Sequence, residues 1–275
     1  MNKLAVLAFA LLVFFSTMLW YLANGSLNEY LKSQIQLQGQ YYSQQVTQLA
    51  IADFSASSGI GSFTKATLGN PKGYQAQYAL LIDNANIELA IPQSAAAVQS
   101  ASPFKENHAL ITTVQQLTIN QLTLNSEHTS ATQTSATQTS ATQNNIAVLI
   151  ALIKNQLAQD YPELYPAISA KLYAQKNPQL DAQAYAQTHP QAGPIIEHKK
   201  AKKKRGKPQA KINIHAITIN TLVLNNTHNG KTTTMQLNNI QLAAIGGEQG
   251  IATNQIGGEL LLALLNLAQQ NNQAQ

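Results

Sequence analysis

Residues 114–125, which read VQQLTINQLTLN, and residues 214–225, which read IHAITINTLVLN, decide the fold of this chain. The two stretches share Thr-Ile-Asn, a Leu two residues later and a closing Leu-Asn. Their apolar residues come in pairs, with a spacing of two inside a pair and three between pairs. Because alternate residues of a strand face the same way, a straight strand would change faces at each junction.

The pattern allows two interpretations. A bulge near Asn120 and another near Asn220 would hold every apolar pair on one face and curve the sheet. Alternatively, each strand is buried on both faces. In either case we expect two similar strands. In the first interpretation their apolar residues are candidates for lining a groove of lipid size. These groove candidates are Leu117, Ile119, Leu122, Leu124, Ile217, Ile219, Leu222 and Leu224.

Near the start of the chain, residues 4–23 form a stretch of 20 residues without a charge. A helix needs about 20 apolar residues to cross a bilayer, so residues 1–25 are predicted to be a transmembrane signal anchor. Cleavage is disfavoured because Tyr21 is too large for the −3 position of a signal-peptidase site. Since Lys3 favours a cytoplasmic amino terminus, the rest of the chain is expected outside the cytoplasm.

The positive charge of the chain is concentrated in one tract. There are 17 Lys and Arg against 12 Asp and Glu, and seven of the basic residues lie within 199–207. The remainder is near-neutral, which does not indicate a nucleic-acid-binding protein with basic side chains spread over a face. The tract is either a solvated loop or a surface that attracts anionic headgroups, at about 1 kcal/mol per basic residue. Its membrane-surface candidates are Lys199, Lys200, Lys202, Lys203, Lys204, Arg205 and Lys207.

Composition divides the chain after the anchor into four segments. Residues 26–128 are expected to form the first part of a β domain. Residues 129–144, with tandem copies of Thr-Ser-Ala-Thr-Gln, are predicted to be a disordered loop. Residues 145–210 are interpreted as a helical insertion that carries the basic tract. Residues 211–275 are expected to supply the second repeat strand, a hairpin and a closing amphipathic helix.

No catalytic or metal-binding motif is found in the sequence. The chain has no Cys, its His residues lack ligand spacing, and it has neither a Gly-x-Ser-x-Gly elbow nor a phosphate loop. The protein is therefore predicted to be non-enzymatic and to use no cofactor. Only a cluster of Asp53, Glu88 and His215 in one pocket would favour a hydrolase.

Several motifs of the chain occur in an order that is typical of one family. A structural turn is predicted at Asn70, Pro71 and Gly73, because Pro fixes φ and Gly permits positive φ. It is followed by two strands, by Asn144-Asn145-Ile146, and at the end by a strand, a Gly turn and an amphipathic helix. In this order the motifs resemble the small single-anchor members of the AsmA-like family of Gram-negative envelope proteins.

The resemblance implies a single-pass inner-membrane protein with its bulk in the periplasm, and the inner membrane, phospholipid and envelope proteins as partners, without nucleic acid. The expected fold class is α+β: an N-terminal transmembrane helix, then a curved, mainly antiparallel, groove-like β-sheet with several packing helices. The expected function is envelope biogenesis, or lipid binding and transfer through the apolar groove. The alternative is a structural or protein-interaction module, in which helices at 145–159 and 254–270 close the same residues into a core.

Overall fold

Long strands form the centre of the fold. A computed structural model describes residues 27–55, 57–90, 111–129, 143–176 and 210–272. The strands of these regions are β1 (Thr47–Ser55), β2 (Ile60–Gly69), β3 (Tyr78–Leu89), β4 (Ile111–Thr129), β5 (Gln143–Asn144), β6 (Lys211–His228), β7 (Lys231–Leu242) and β8 (Ile251–Ala252). The long strands lie side by side in the order β1-β2-β3-β4-β6-β7, while β5 pairs with β4 and β8 with β6.

The central pair of the sheet is parallel, and the other pairs among the described strands are antiparallel. The two repeats lie next to each other in register in β4 and β6, so that Ile119 pairs with Ile219 and Leu122 with Leu222. Parallel neighbours need a long crossover connection, which residues 130–210 provide. The sheet is therefore mixed.

Strand pairing is interrupted along a line that crosses the sheet, and a second interruption lies at Gln115 and His215. The pairing skips Lys65 between β1 and β2, Asn120 and Asn220 between β4 and β6, and Asn239 between β6 and β7. Lys65 and Asn239 have positive φ angles of 53° and 55°. In β6 the apolar pairs are buried, whereas the residues between them are exposed or half-buried. The apolar pairs therefore share one face, as the bulge interpretation requires. At Asn120 the register between β3 and β4 shifts, whereas at Asn220 the pairing is skipped without a shift of register.

Helices cover the apolar face of the sheet. The described helices are α1 (27–43), α2 (Asn145–Asp160), α3 (Pro166–Lys176) and α4 (Ile256–Asn272). α2 begins at the cap residue Asn144, whose side chain accepts hydrogen bonds from the N–H groups of Ile146 and Ala147. α2 and α4 pack against each other and against β4, and α4 also contacts β6.

Polar contacts fasten α1 and the start of α3 at the border of this layer. Asn28 Oδ1 accepts a hydrogen bond from the N–H of Phe54 at 3.0 Å, and the Tyr42 hydroxyl donates to the carbonyl of Asn254 at 2.8 Å. The Tyr165 hydroxyl donates to Glu259 Oε1 at 2.7 Å. Burial, and then this bond to Glu259, raise the pKa of Tyr165. The hydroxyl therefore stays protonated and keeps donating at neutral pH.

The expected membrane architecture is corrected by this structure. Among the described residues no helix is both long enough and apolar enough to cross a membrane. The predicted anchor at residues 1–25 lies outside the described residues. The expected fold class, a transmembrane helix followed by a mainly antiparallel sheet, and the single-pass inner-membrane location are therefore wrong as descriptions of the observed fold, which is a mixed sheet covered by helices.

The Thr-Ser-Ala-Thr-Gln region is bounded by ordered strands. Thr129 pairs with Gln143, and His128 pairs with Asn144. Strand structure therefore reaches into both ends of the segment 129–144 that was predicted to be disordered, and residues 130–142 lie outside the described residues.

The covering helices predict a large cost for truncating a buried leucine. Leu265 in α4 is 0% exposed, whereas Leu164, between α2 and α3, is 54% exposed. We expect Leu265→Ala to lower the free energy of unfolding by about 2–5 kcal/mol, through lost burial and the cavity left behind. Leu164→Ala is the matched control and should change it by less than about 0.5 kcal/mol. Chemical denaturation of both variants checks this, and equal losses would contradict the packing of α4 on the sheet.

Candidate functional site

All the groove candidates lie in the interior. Leu117, Ile119, Leu122, Leu124, Ile217, Ile219, Leu222 and Leu224 are between 0% and 6% exposed. They belong to the same apolar cluster as Leu149 and Ile153 of α2 and Leu264 and Leu265 of α4. The surface that could have formed an open groove is thus covered by helices and forms a closed core.

Amide side chains join the two repeats along the central pair. Asn220 Nδ2 donates to Asn120 Oδ1 at 3.0 Å, and Asn225 Nδ2 donates to Asn125 Oδ1 at 2.9 Å. Thr234 Oγ1 in β7 extends the second contact by donating to Asn225 Oδ1 at 2.8 Å. These contacts connect identical residues of the two repeats, so they reinforce the register rather than form a reactive site.

The predicted structural turn is held by a buried polar cluster. Gly73 has a φ of +97°, and Asn70 Nδ2 donates to the carbonyl of Ala76 at 2.7 Å. The carboxylate of Glu127 accepts hydrogen bonds from the N–H groups of Gln75, at 2.6 Å, and of Ala76. Since one carboxylate accepts from both backbone donors, Glu127 fixes the turn.

Asn145 connects that turn to the start of α2. It is 0% exposed, and its Nδ2 donates to Asn70 Oδ1 at 2.6 Å and to the carbonyl of Asn125 at 2.7 Å. Its Oδ1 accepts from the N–H of Glu127 at 2.8 Å. The sequence analysis missed Glu127 and Asn145 as members of this cluster. The available signal was the Asn pair at 144–145, because Asn is a preferred residue at helix starts.

Two histidines meet where the repeat strands end. The rings of His128 and His228 are 5.5 Å apart and nearly perpendicular, and Asn144 Nδ2 lies 3.1 Å from His128 Nε2. Burial, and then the neighbouring His228, lower the pKa of His128. The pair therefore favours the neutral form of His128.

An open depression of about 640 Å³ lies beside α1, the end of α2 and the segment before α4. In it the Tyr41 hydroxyl donates to Asp160 Oδ1 at 2.9 Å and accepts from Gln156 Nε2 at 2.8 Å. Burial, and then the bond to Asp160, raise the pKa of Tyr41, so its hydroxyl remains protonated at neutral pH. The depression offers aromatic surface and hydrogen bonds but no nucleophile paired with a base.

The residues that would have favoured a hydrolase are not brought together. Asp53 lies in β1, Glu88 in β3 and His215 in β6, with an intervening strand in each interval. Neighbouring strands lie about 4.8 Å apart, so these side chains do not share one pocket. Within the described ranges, no group of three or more His, Asp or Glu residues could hold a metal ion.

Comparisons with known proteins give no identification: no family model, no curated protein and no solved structure matches this chain. The AsmA-like resemblance, and the partners that it implies, therefore stay predictions. The membrane-surface candidates of the basic tract, residues 199–207, lie outside the described residues.

The polar cluster predicts that Asn145→Ala is strongly destabilising. The change would leave the N–H of Glu127 and the carbonyl of Asn125 without their partner in a buried place. Each such group costs about 1–3 kcal/mol, so we expect a loss of at least about 2 kcal/mol in the free energy of unfolding. Asn86→Ala, at an exposed position of β3, is the matched control and should be nearly neutral. A neutral result for Asn145→Ala in urea denaturation would contradict this role.

The histidine pair predicts a loss of stability on acidification. Because the pKa of His128 is lower in the folded protein than its ordinary value of 6.5, the unfolded chain takes up the proton first as the pH falls. Stability should therefore decline as the pH falls below about 6.5, and His128→Gln should make this decline shallower. Thermal melting between about pH 7.5 and 5 measures the slope, with His215→Gln as control for the loss of an imidazole. An unchanged slope in His128→Gln would contradict the prediction.

Proposed function

We propose that this protein is a non-enzymatic structural or protein-interaction module built around a closed β core. The observation that carries the proposal is the burial of the groove candidates beneath α2 and α4. A lipid carrier of the expected kind would need this face to be open to an acyl chain. The alternative function stated from the sequence is thus the one that the geometry favours.

The energy needed to open this face supports the proposal. Exposing a buried Leu or Ile side chain costs about 1.5–3 kcal/mol. Moving α2 away would expose at least Leu149, Ile150, Ile153 and Leu157, which costs on the order of 10 kcal/mol. The whole free energy of unfolding of a domain is about 5–15 kcal/mol. Opening a groove here would therefore be nearly as costly as unfolding.

The contacts of the carboxylates and the composition of the open face support a non-catalytic role. The buried carboxylate Glu127 is occupied by backbone N–H groups, and Asp160 accepts from Tyr41. On the open face of the sheet, the central strands carry uncharged side chains such as Thr118, Gln121 and Thr221. Such uncharged side chains do not supply the groups that proton transfer or stabilisation of a developing charge would need.

Exposed apolar side chains on α1 support the interaction role. Tyr30, Leu37 and Tyr41 are 60%, 56% and 51% exposed. Their spacing of seven and four residues places them on one side of the helix. Large apolar groups that share a side and stay accessible are typical of surfaces that contact other molecules.

A buried charge distinguishes a closed core from a lipid groove. In a closed core, Ile219→Asp places an unpaired carboxylate in the interior, which should abolish cooperative folding. In an open groove, the variant should fold and lose bound lipid. Thr218→Asp, the neighbouring position on the open face, is the matched control and should melt close to wild type.

The measurement combines thermal melting of the full chain with mass spectrometry of lipids extracted from it. We expect Ile219→Asp not to fold, Thr218→Asp to fold, and the wild type to carry no stoichiometric acyl lipid. A folded Ile219→Asp variant that has lost a lipid present in the wild type would replace the proposed function with lipid binding.

A further inference from the structure

The outer edge of β7 carries few of the features that usually protect a sheet edge. Among the described strands, β7 pairs only with β6, which leaves a row of backbone N–H and C=O groups along its other side. Natural edge strands are usually short, or guarded by charges and prolines. β7 has 12 residues and no proline, and its only charged residue is Lys231 at the first position. Such an edge is suited to pairing with a further strand.

The sequence of β7 is a palindrome in side-chain type. Residues 235–242 read MQLNNIQL, so the order of apolar residue, Gln and Asn is the same from either end. The apolar members are half-buried along the face that the helices cover. The centre of the palindrome, between Asn238 and Asn239, coincides with the interruption of pairing between β6 and β7.

We infer that β7 pairs antiparallel with β7 of a second copy of this chain, about a two-fold axis between Asn238 and Asn239. In this register Met235 lies opposite Leu242, Leu237 opposite Ile240, and Gln236 opposite Gln241. Within residues 235–242, each apolar residue lies opposite an apolar residue, each Gln opposite a Gln and each Asn opposite an Asn. An isologous interface requires this self-complementarity. A shift by one residue in either direction would set Leu237 against Gln241 or Asn239.

The pairing would join the sheets of two copies into one continuous sheet. It rests on the proposed function as an interaction module and names a second copy of the chain as the partner. Apolar cross-strand pairs at Met235 and Leu237 add to the backbone hydrogen bonds. The Gln and Asn pairs lie along the same strand and can hydrogen-bond to each other across the axis, since an amide both donates and accepts.

Cysteine cross-linking tests the register directly, because the chain has no native Cys. Directly opposite residues of antiparallel strands have Cα atoms about 4.5–5.5 Å apart, within the range of a disulfide. Gln236→Cys/Gln241→Cys in the full chain should therefore oxidise to a covalent dimer of twice the 29.7 kDa chain mass. Gln236→Cys alone is the control, because its copies lie five residues out of register, about 17 Å along the strand.

Charge complementation provides an independent test by light scattering. Gln236→Lys/Gln241→Lys places Lys opposite Lys and should convert the dimer to a monomer that still unfolds cooperatively. The corresponding Glu variant should also be monomeric, and mixing the two should restore a dimer. The inference would be overturned if the wild type is a monomer at micromolar concentration, or if both the Lys variant and the Glu variant remain dimers. Lipid extraction reports separately on the closed core, so a lipid-free monomer would leave the proposed function intact.

Discussion

The in-register parallel pairing of β4 and β6 is the constraint on which the other features depend. Because the two strands carry the same pattern, this register places each apolar residue beside its counterpart. It also brings Asn220 Nδ2 within 3.0 Å of Asn120 Oδ1. It also sets the two irregular positions side by side, so the interruption can continue through the sheet as one line. A slip by one residue would set Ile119 against Asn220 or Thr218, so the match between the apolar residues of the two strands would be lost.

The closed core follows from this pairing through the path of the chain. A parallel pair cannot be joined by a tight turn, so the chain must leave the end of β4 and return to the start of β6. On the return path, Asn144 pairs with His128 near the end of β4 and also caps α2. Asn145, buried beside Asn70 and Glu127, fixes where the helix starts. α2 is thereby directed across the apolar face, and α4 completes the cover.

Much of the local structure could be predicted from the sequence, and its assembly could not. Apolar spacing predicted the repeat strands, irregular pairing at Asn120 and Asn220, and the helices near 145–159 and 254–270. The parallel orientation was not predictable, because the same pattern of apolar pairs fits a neighbour of either direction. Whether the helices would close the apolar face also depends on the crossover path, which periodicity does not contain. The roles of Glu127 and Asn145 arise from contacts between residues far apart in the chain.

The uncharged stretch at 4–23 led to an expected membrane architecture that the described fold does not have.

A closed core changes where this protein can meet other molecules. The apolar pairs that would have bound a ligand are used to hold α2 and α4, which leaves α1, the open polar face and the sheet edges. The open face consists mainly of Thr, Gln and Asn side chains, which water solvates well, so little free energy is gained by covering it.

A sheet edge differs from this face, because its backbone N–H and C=O groups form a row that can hydrogen-bond to another strand. The line of interrupted pairing runs out of the sheet at Asn239, in the centre of the palindrome of β7. The irregularity at Asn239 places Leu237 and Ile240 on the same face of β7, so the apolar residues on both sides of the palindrome's centre face the helices.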